Sequence, residues 1–89
     1  MVEFITLYFA SARDAAEGKV SEILKVADEK PATLASAVEC IQAKYPKMEL
    51  VLRSAMVALN EDCCDKDDMA SVAIKSSDTV AIIPPVSGG

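Results

Sequence analysis

"VEFITLYFA", residues 2–10, is apolar on both of its alternating faces. As a strand it points Val2, Phe4, Thr6 and Tyr8 to one side and Glu3, Ile5, Leu7 and Phe9 to the other. A strand with one wet face reads polar at every second position. One that is largely apolar on both belongs in the middle of a sheet. At the far end of the chain "TVAII" (79–83) is a second apolar run. It stops at Pro84 and Pro85, which lack the N–H that a further ladder bond needs.

Between these two runs, "SARDAAEG" (11–18) reads as an Ala-rich connector with room for a helical turn, closed by Gly18. "KVSEILKVA" (19–27) reads as a second strand and "DEKP" (28–31) as a turn. A helix is expected from Thr33 to Tyr45. Thr33 suits the N-cap, and Leu34, Val38, Ile41 and Tyr45 recur at helical spacing. Pro46 ends it, because the residue before a proline avoids the helical region. "KMELVLR" (47–53) fits either a further helical turn or an irregular segment. "AMVALN" (55–60) reads as a short buried strand, and "EDCCDKDD" (61–68) as an acidic hairpin-like loop with room for a short edge strand. Ile74 is expected to anchor the following segment, and "SSD" (76–78) to form a turn.

The order β-β-α-β-(β)-β implies an α+β domain. With the first and last strands parallel and adjacent at the centre, this is the β-grasp arrangement. It has a mixed four- or five-stranded sheet and one main helix packed on one face. Residues 1–83 would form the domain and residues 84–89 an extended tail. A single helix leaves the other sheet face uncovered. Ile5, Leu7, Phe9, Ala81 and Ile83 fall on that face, with Phe9 and Ile83 together where the tail departs. An exposed apolar patch of this kind predicts a protein partner.

Composition narrows the function. The chain has 89 residues, 52% of them apolar, enough for one small core. No apolar run approaches the roughly 20 residues of a membrane span, and the expected location is the cytosol. A formal charge of −5 with two Phe, two Tyr and no Trp argues against nucleic acid and anionic membranes as partners, and for basic surfaces. Three cysteines (Cys40, Cys63 and Cys64) match no zinc spacing and suggest no disulfide framework. They read as one buried helical thiol and two thiols at a loop or strand end. The acidic loop lacks the glycine and closing glutamate of a calcium loop, so no metal site is expected. With no histidine in the chain, a Ser-His or Cys-His nucleophile cannot be assembled.

The last six residues, Pro84, Pro85, Val86, Ser87, Gly88 and Gly89, look built for reach. The prolines favour an extended exit, and six residues span about 20 Å. Val86 offers one apolar hold. Ser87, Gly88 and Gly89 then reduce the chain to its narrowest width, suited to threading a channel. The reactive group would be the carboxylate of Gly89. It is ionised at neutral pH, with a pKa of about 3.5, and is a poor electrophile until activated. ATP would convert it to an acyl-adenylate. A sulfur donor or a lysine amine would then displace AMP.

"LYFASARD" (7–14), "VALNED" (57–62) and "SDTVAIIPPVSGG" (77–89) together resemble the MoaD family, the ubiquitin-like small subunits of molybdopterin synthase. The resemblance spans the chain, and its last motif is the specific one. It implies a sulfur carrier that is no enzyme on its own. Gly89 would be adenylated by an E1-like enzyme that uses ATP, then converted to a thiocarboxylate. The tail, from Pro84 to Gly88, would enter the large synthase subunit and deliver sulfur to cyclic pyranopterin monophosphate. Two turnovers would complete the two-sulfur dithiolene. The implied assembly is a heterotetramer of two large and two small subunits, with the catalytic lysines on the large subunit and no tightly bound cofactor here. By position, the family's partner-facing patch falls on Phe9, Cys63 and Ile83. Cys63 is smaller than the aliphatic residue usual there. Arg13 matches a basic position after the first strand, and Ser87 stands where threonine is common. Two other readings remain at this level. One is a related carrier or protein modifier, of the thiamine or tRNA-thiolation type. The other is a β-grasp interaction domain whose tail does no chemistry.

Overall fold

The computed structural model describes residues 2–26 and 32–85. Five strands form one mixed sheet in the order β2-β1-β5-β3-β4. They are β1 (Val2–Tyr8), β2 (Ser21–Val26), β3 (Met56–Leu59), β4 (Asp62–Cys64) and β5 (Thr79–Ile83). β1 and β5 run parallel and adjacent, with Leu7 opposite Ala81 and Tyr8 opposite Ile82. β2 pairs antiparallel with β1, and β3 pairs antiparallel with both β5 and β4. The β-grasp topology expected from the sequence is the one observed.

The helical layer is richer than one helix. α1 (Ser11–Ala15), α2 (Leu34–Lys44), α3 (Met48–Leu52) and a 3-10 helix (Lys66–Ser71) accompany the sheet. α2 starts as its sequence suggests. The Thr33 side chain accepts a hydrogen bond from the Ser36 N–H at 3.2 Å, which satisfies one of the first-turn donors. The helix ends at Lys44, and Tyr45 before Pro46 is extended. Of the expected stripe, Leu34, Ile41 and Tyr45 are buried. Val38 is only half-buried, and Ala37 takes the inward position. The segment 47–53, left open between helix and loop, is α3, which drives Met48 and Leu52 into the core. The second strand begins at Ser21, two residues later than expected. The turn expected at "DEKP" lies outside the described residues.

The core sits between the sheet and this layer. Phe4, Thr6 and Tyr8 of β1 and Val80 and Ile82 of β5 are fully buried. Ile74 is buried as expected, beside the bridge between Thr33 and Ala73. Cys40 departs from its expectation. It is half-buried, and its thiol lies 3.5 Å from the Lys25 carbonyl oxygen. The reason is α2's rotation, which points Ala37 and Ile41 to the core. Cys63 and Cys64 lie on edge strand β4, where strand-end thiols were expected.

A polar cluster is set into this core. Glu22 lies on the inward side of β2 with Leu24 and Val26. Its carboxylate accepts hydrogen bonds from the Tyr8 and Tyr45 hydroxyls, both at 2.7 Å, and from the Lys44 ammonium at 2.6 Å. The two tyrosine rings meet edge to face. Burial pushes the Glu22 carboxyl up, but the bonds from Lys44, Tyr45 and Tyr8 outweigh it and hold the group at about 2. Burial, then Glu22, raises the Tyr8 hydroxyl, so it stays a donor.

The Glu22 carboxyl titrates near 4.5 when the chain is unfolded and near 2 when folded. Its contribution is therefore complete above the higher value and is lost as pH falls toward the lower. Glu22→Gln should cost about 2 kcal/mol at pH 7, since bonds to a charged acceptor are among the stronger ones. It should also flatten the fall in melting temperature between pH 5 and about 2. Calorimetric melts across that range check both. Thr6 Oγ1 is buried with no hydrogen-bond partner among the described residues. Thr6→Val should therefore raise stability by about 1 kcal/mol, measured by urea unfolding.

Candidate functional site

The sheet face turned away from the helices carries a shallow cavity of about 570 Å³. It follows from strand alternation. Where β1 and β5 send Tyr8, Val80 and Ile82 inward, Leu7, Phe9, Ala81 and Ile83 must face out. Cross-strand register then lines up Leu7, Ala81, Ala58 and Cys63 in one row across four strands. Two alanines in the middle of that row make a low floor. Phe9 and Ile83 stand at one end as walls. Phe9 is 43% exposed, a high value for a large aromatic side chain. Met56, opposite Ile83 on β3, is 54% exposed and extends the apolar surface beyond the cavity.

The chain holds these walls in place by local means. Phe9 continues the parallel pairing, its N–H donating to the Ile82 carbonyl oxygen at 3.2 Å. The backbone then turns sharply. Ala10 has a φ of 50°, and the Ala12 N–H returns to the Phe9 carbonyl oxygen at 3.0 Å. Phe9 is thereby fixed at the rim, between a ladder bond and a tight turn. Beyond Ile83, Pro84 is buried and Pro85 exposed, so the chain leaves the sheet at this end of the cavity.

The opposite end is closed by a hairpin. Leu59 pairs with Asp62, leaving Asn60 and Glu61 as a two-residue loop. Their φ values are 50° and 76°, the doubly left-handed geometry that two-residue hairpins favour. Asn60 tolerates it and is put to use. Its amide nitrogen donates to Asp78 Oδ1 at 2.9 Å, and its amide oxygen accepts from the Thr79 N–H at 2.9 Å. Asp78 also accepts from the Lys75 N–H. The Asn60 amide holds the buried Asp78 carboxyl below the usual carboxylate range. The Lys75 N–H adds to this, against the upward push of burial. This clamp ties the β3–β4 turn to the start of β5.

Of the residues singled out from sequence, the fold brings Phe9, Cys63 and Ile83 to one cavity. Arg13 is exposed on α1 and does not line it. Val86, Ser87, Gly88 and Gly89 lie outside the described residues. Sequence reading did not single out Asn60 or Met56. A polar residue between a strand and an acidic turn was the available signal for Asn60. Met56 carried none, because its neighbours Val57 and Ala58 are as apolar as it is. Among the described residues there is no group of three or more metal-ligating side chains, and no helix long and apolar enough to cross a membrane.

The profile of the ThiS family matches residues 6–89, which takes in the end of β1, the other four strands and the glycine end. The chain belongs to the ThiS family. The molybdopterin synthase sulfur carrier subunit of Emericella nidulans is 36% identical over 96 aligned positions that cover all of both chains. In three dimensions the chain is similar to SAMP1 from Haloferax volcanii. The TM-score is 0.80 at 23% identity, over 98% of this chain and 99% of that one. It is also similar to a chain in the complex of subunits 1 and 2 of the molybdopterin-converting factor from Helicobacter pylori. There the TM-score is 0.67 at 18% identity, over 99% of this chain and 100% of the other. The β-grasp fold and the sulfur-carrier kinship expected from the sequence motifs are both borne out.

Two substitutions test the hairpin. Asn60→Ala removes two hydrogen bonds, one to a buried carboxylate, and strains a left-handed position. It should cost about 2 kcal/mol. Glu61→Gly keeps every observed side-chain bond of the clamp and relieves the backbone, and should gain about 1 kcal/mol. Denaturant midpoints measure both, and the two shifts should have opposite sign.

Proposed function

We propose that this chain is the sulfur carrier of molybdopterin synthesis, the small subunit of molybdopterin synthase. The observation that carries this is the kinship with sulfur carrier subunits along the whole chain, the Gly88–Gly89 end included. The apolar cavity beside the point where the chain leaves the sheet supports it, since a carrier must dock before its tail can be used.

The chemistry runs through Gly89. Its carboxylate attacks the α-phosphate of ATP on an E1-like enzyme, giving a glycyl adenylate and releasing pyrophosphate. A sulfur donor attacks the acyl carbon and expels AMP, leaving a thiocarboxylate. The carrier then docks on the large subunit through Phe9, Ile83 and Cys63, with Arg13 at the margin. Pro84, Pro85, Val86, Ser87 and Gly88 pass into that subunit's active site. The Gly89 thiocarboxylate sulfur bonds to cyclic pyranopterin monophosphate. Water then cleaves the acyl–sulfur bond, leaving the sulfur on the pterin and releasing the carrier as the carboxylate. Two carriers serve each pterin, in a heterotetramer of two large and two small subunits. The Helicobacter pylori complex of subunits 1 and 2 supports the pairing with a large subunit. The carrier holds no cofactor tightly, binds neither nucleic acid nor membrane, and works in the cytosol. The glycines suit the task because neither has a β-carbon to collide with the enzymes that must reach the carbonyl.

Intact-mass spectrometry tests the central step. With the activating enzyme, ATP and a sulfur donor, the chain should gain the mass difference between sulfur and oxygen, located at Gly89. No gain, with the same enzymes thiolating a known carrier, overturns the reading. Deleting Gly89 should abolish molybdopterin formation while leaving the melting temperature unchanged. Phe9→Ala should weaken binding to the large subunit by about tenfold or more, as for an aromatic anchor at an interface. Calorimetric titration measures it.

A further inference from the structure

The cavity opens beside a strongly charged edge. From Glu61 to Asp68 the chain places five exposed carboxylates, those of Glu61, Asp62, Asp65, Asp67 and Asp68, against one cation, Lys66. That short segment holds four of the chain's five excess negative charges. Glu61 lines the apolar cavity, while Asp62, Asp65 and Asp68 line a groove around the β4 edge, with Cys63 common to both. Lys66 donates to the Arg53 carbonyl oxygen at 2.6 Å. Among the described residues none of the five carboxylates forms an ion pair.

The opposite edge of the sheet differs. Lys19 and Lys44 are paired with Glu22, and Lys25 with Glu3, all beside β2. In the strand order, β2 and β4 are the two edges. The sheet is therefore compensated in charge at its β2 edge and uncompensated at its β4 edge, with the apolar cavity on the face between them. Apolar contact alone is non-directional and leaves the rotation of the sheet against its partner weakly specified. A one-sided charge does specify it, and it also raises the encounter rate.

We infer that the β4 edge guides docking: the partner that covers the cavity carries a cluster of Lys and Arg over β4 and a near-neutral surface over β2. The inference rests on the reading that a large synthase subunit docks on this face. The charges are exposed, so the effect lies in the association rate and is removed by salt.

Stopped-flow association of the full chain with the large subunit tests this at two salt levels, where the Debye length is about 30 Å and about 3 Å. Neutralising the edge with Asp65→Asn, Asp67→Asn and Asp68→Asn should slow association about tenfold at low salt. At high salt it should match the wild type, and the off-rate should not change. The control triple Glu17→Gln, Glu39→Gln and Glu49→Gln changes net charge equally on other surfaces and should leave the rate close to wild type. Lys66→Gln makes the edge more negative and should speed association at low salt. Equal slowing by both triples, or association indifferent to salt, overturns the guide while leaving the docking reading intact. A wild-type chain that forms no complex overturns both.

Discussion

The parallel pairing of β1 with β5 is the constraint on which the rest of this structure depends. It brings the first and last strands into contact, Leu7 against Ala81 and Tyr8 against Ile82. No turn can make that contact, so the whole intervening chain is closed as a loop. β2 is then placed on one side and β3 with β4 on the other. The same register decides the two faces. Phe4, Tyr8, Val80 and Ile82 go to the helices, and Leu7, Phe9, Ala81 and Ile83 go outward. A slip of one residue would exchange them, exposing two aromatic rings and burying the residues that line the cavity.

Two polar devices hold the ends of this arrangement and keep its outer face plain. On the helix side, Glu22 draws Tyr8, Tyr45 and Lys44 onto one carboxylate and so ties β1, β2 and the end of α2 together. On the other side, Asn60 and Asp78 join the β3–β4 turn to the start of β5. Each satisfies groups that would be costly to leave unpaired in a small core. Between them the outer face has little to do for stability. It can keep a low floor of alanines with Phe9 and Ile83 standing above it, an arrangement suited to a partner's apolar contact.

Much of this was legible from residue order. Apolar character on both faces of residues 2–10 marked a central strand, Thr33 and Pro46 bracketed α2, and Pro84 stopped β5. The cavity was legible too, because strand alternation names the outward residues once the helix is assigned to one face. The short helices were not. α1 and α3 each have five residues, too few for a periodic pattern to stand out. The Glu22 cluster was hidden because its members lie far apart in sequence, at 8, 22, 44 and 45. Only an acid at an inward strand position hinted at it.

By itself the sequence determined the strands, the main helix, the family and the narrow glycine end, since these rest on local pattern and short motifs. Tertiary structure alone decided that Ala58 and Ala81 form the floor between Phe9, Cys63 and Ile83, that Arg13 stays off the cavity, and that Asn60 braces its far end. It also decided that the acidic segment borders the cavity while the paired lysines lie toward the other edge. The reason is physical. Periodicity reports which way a side chain faces within its own element, whereas neighbours across strands are set by register and strand order, which depend on the closure of the whole chain.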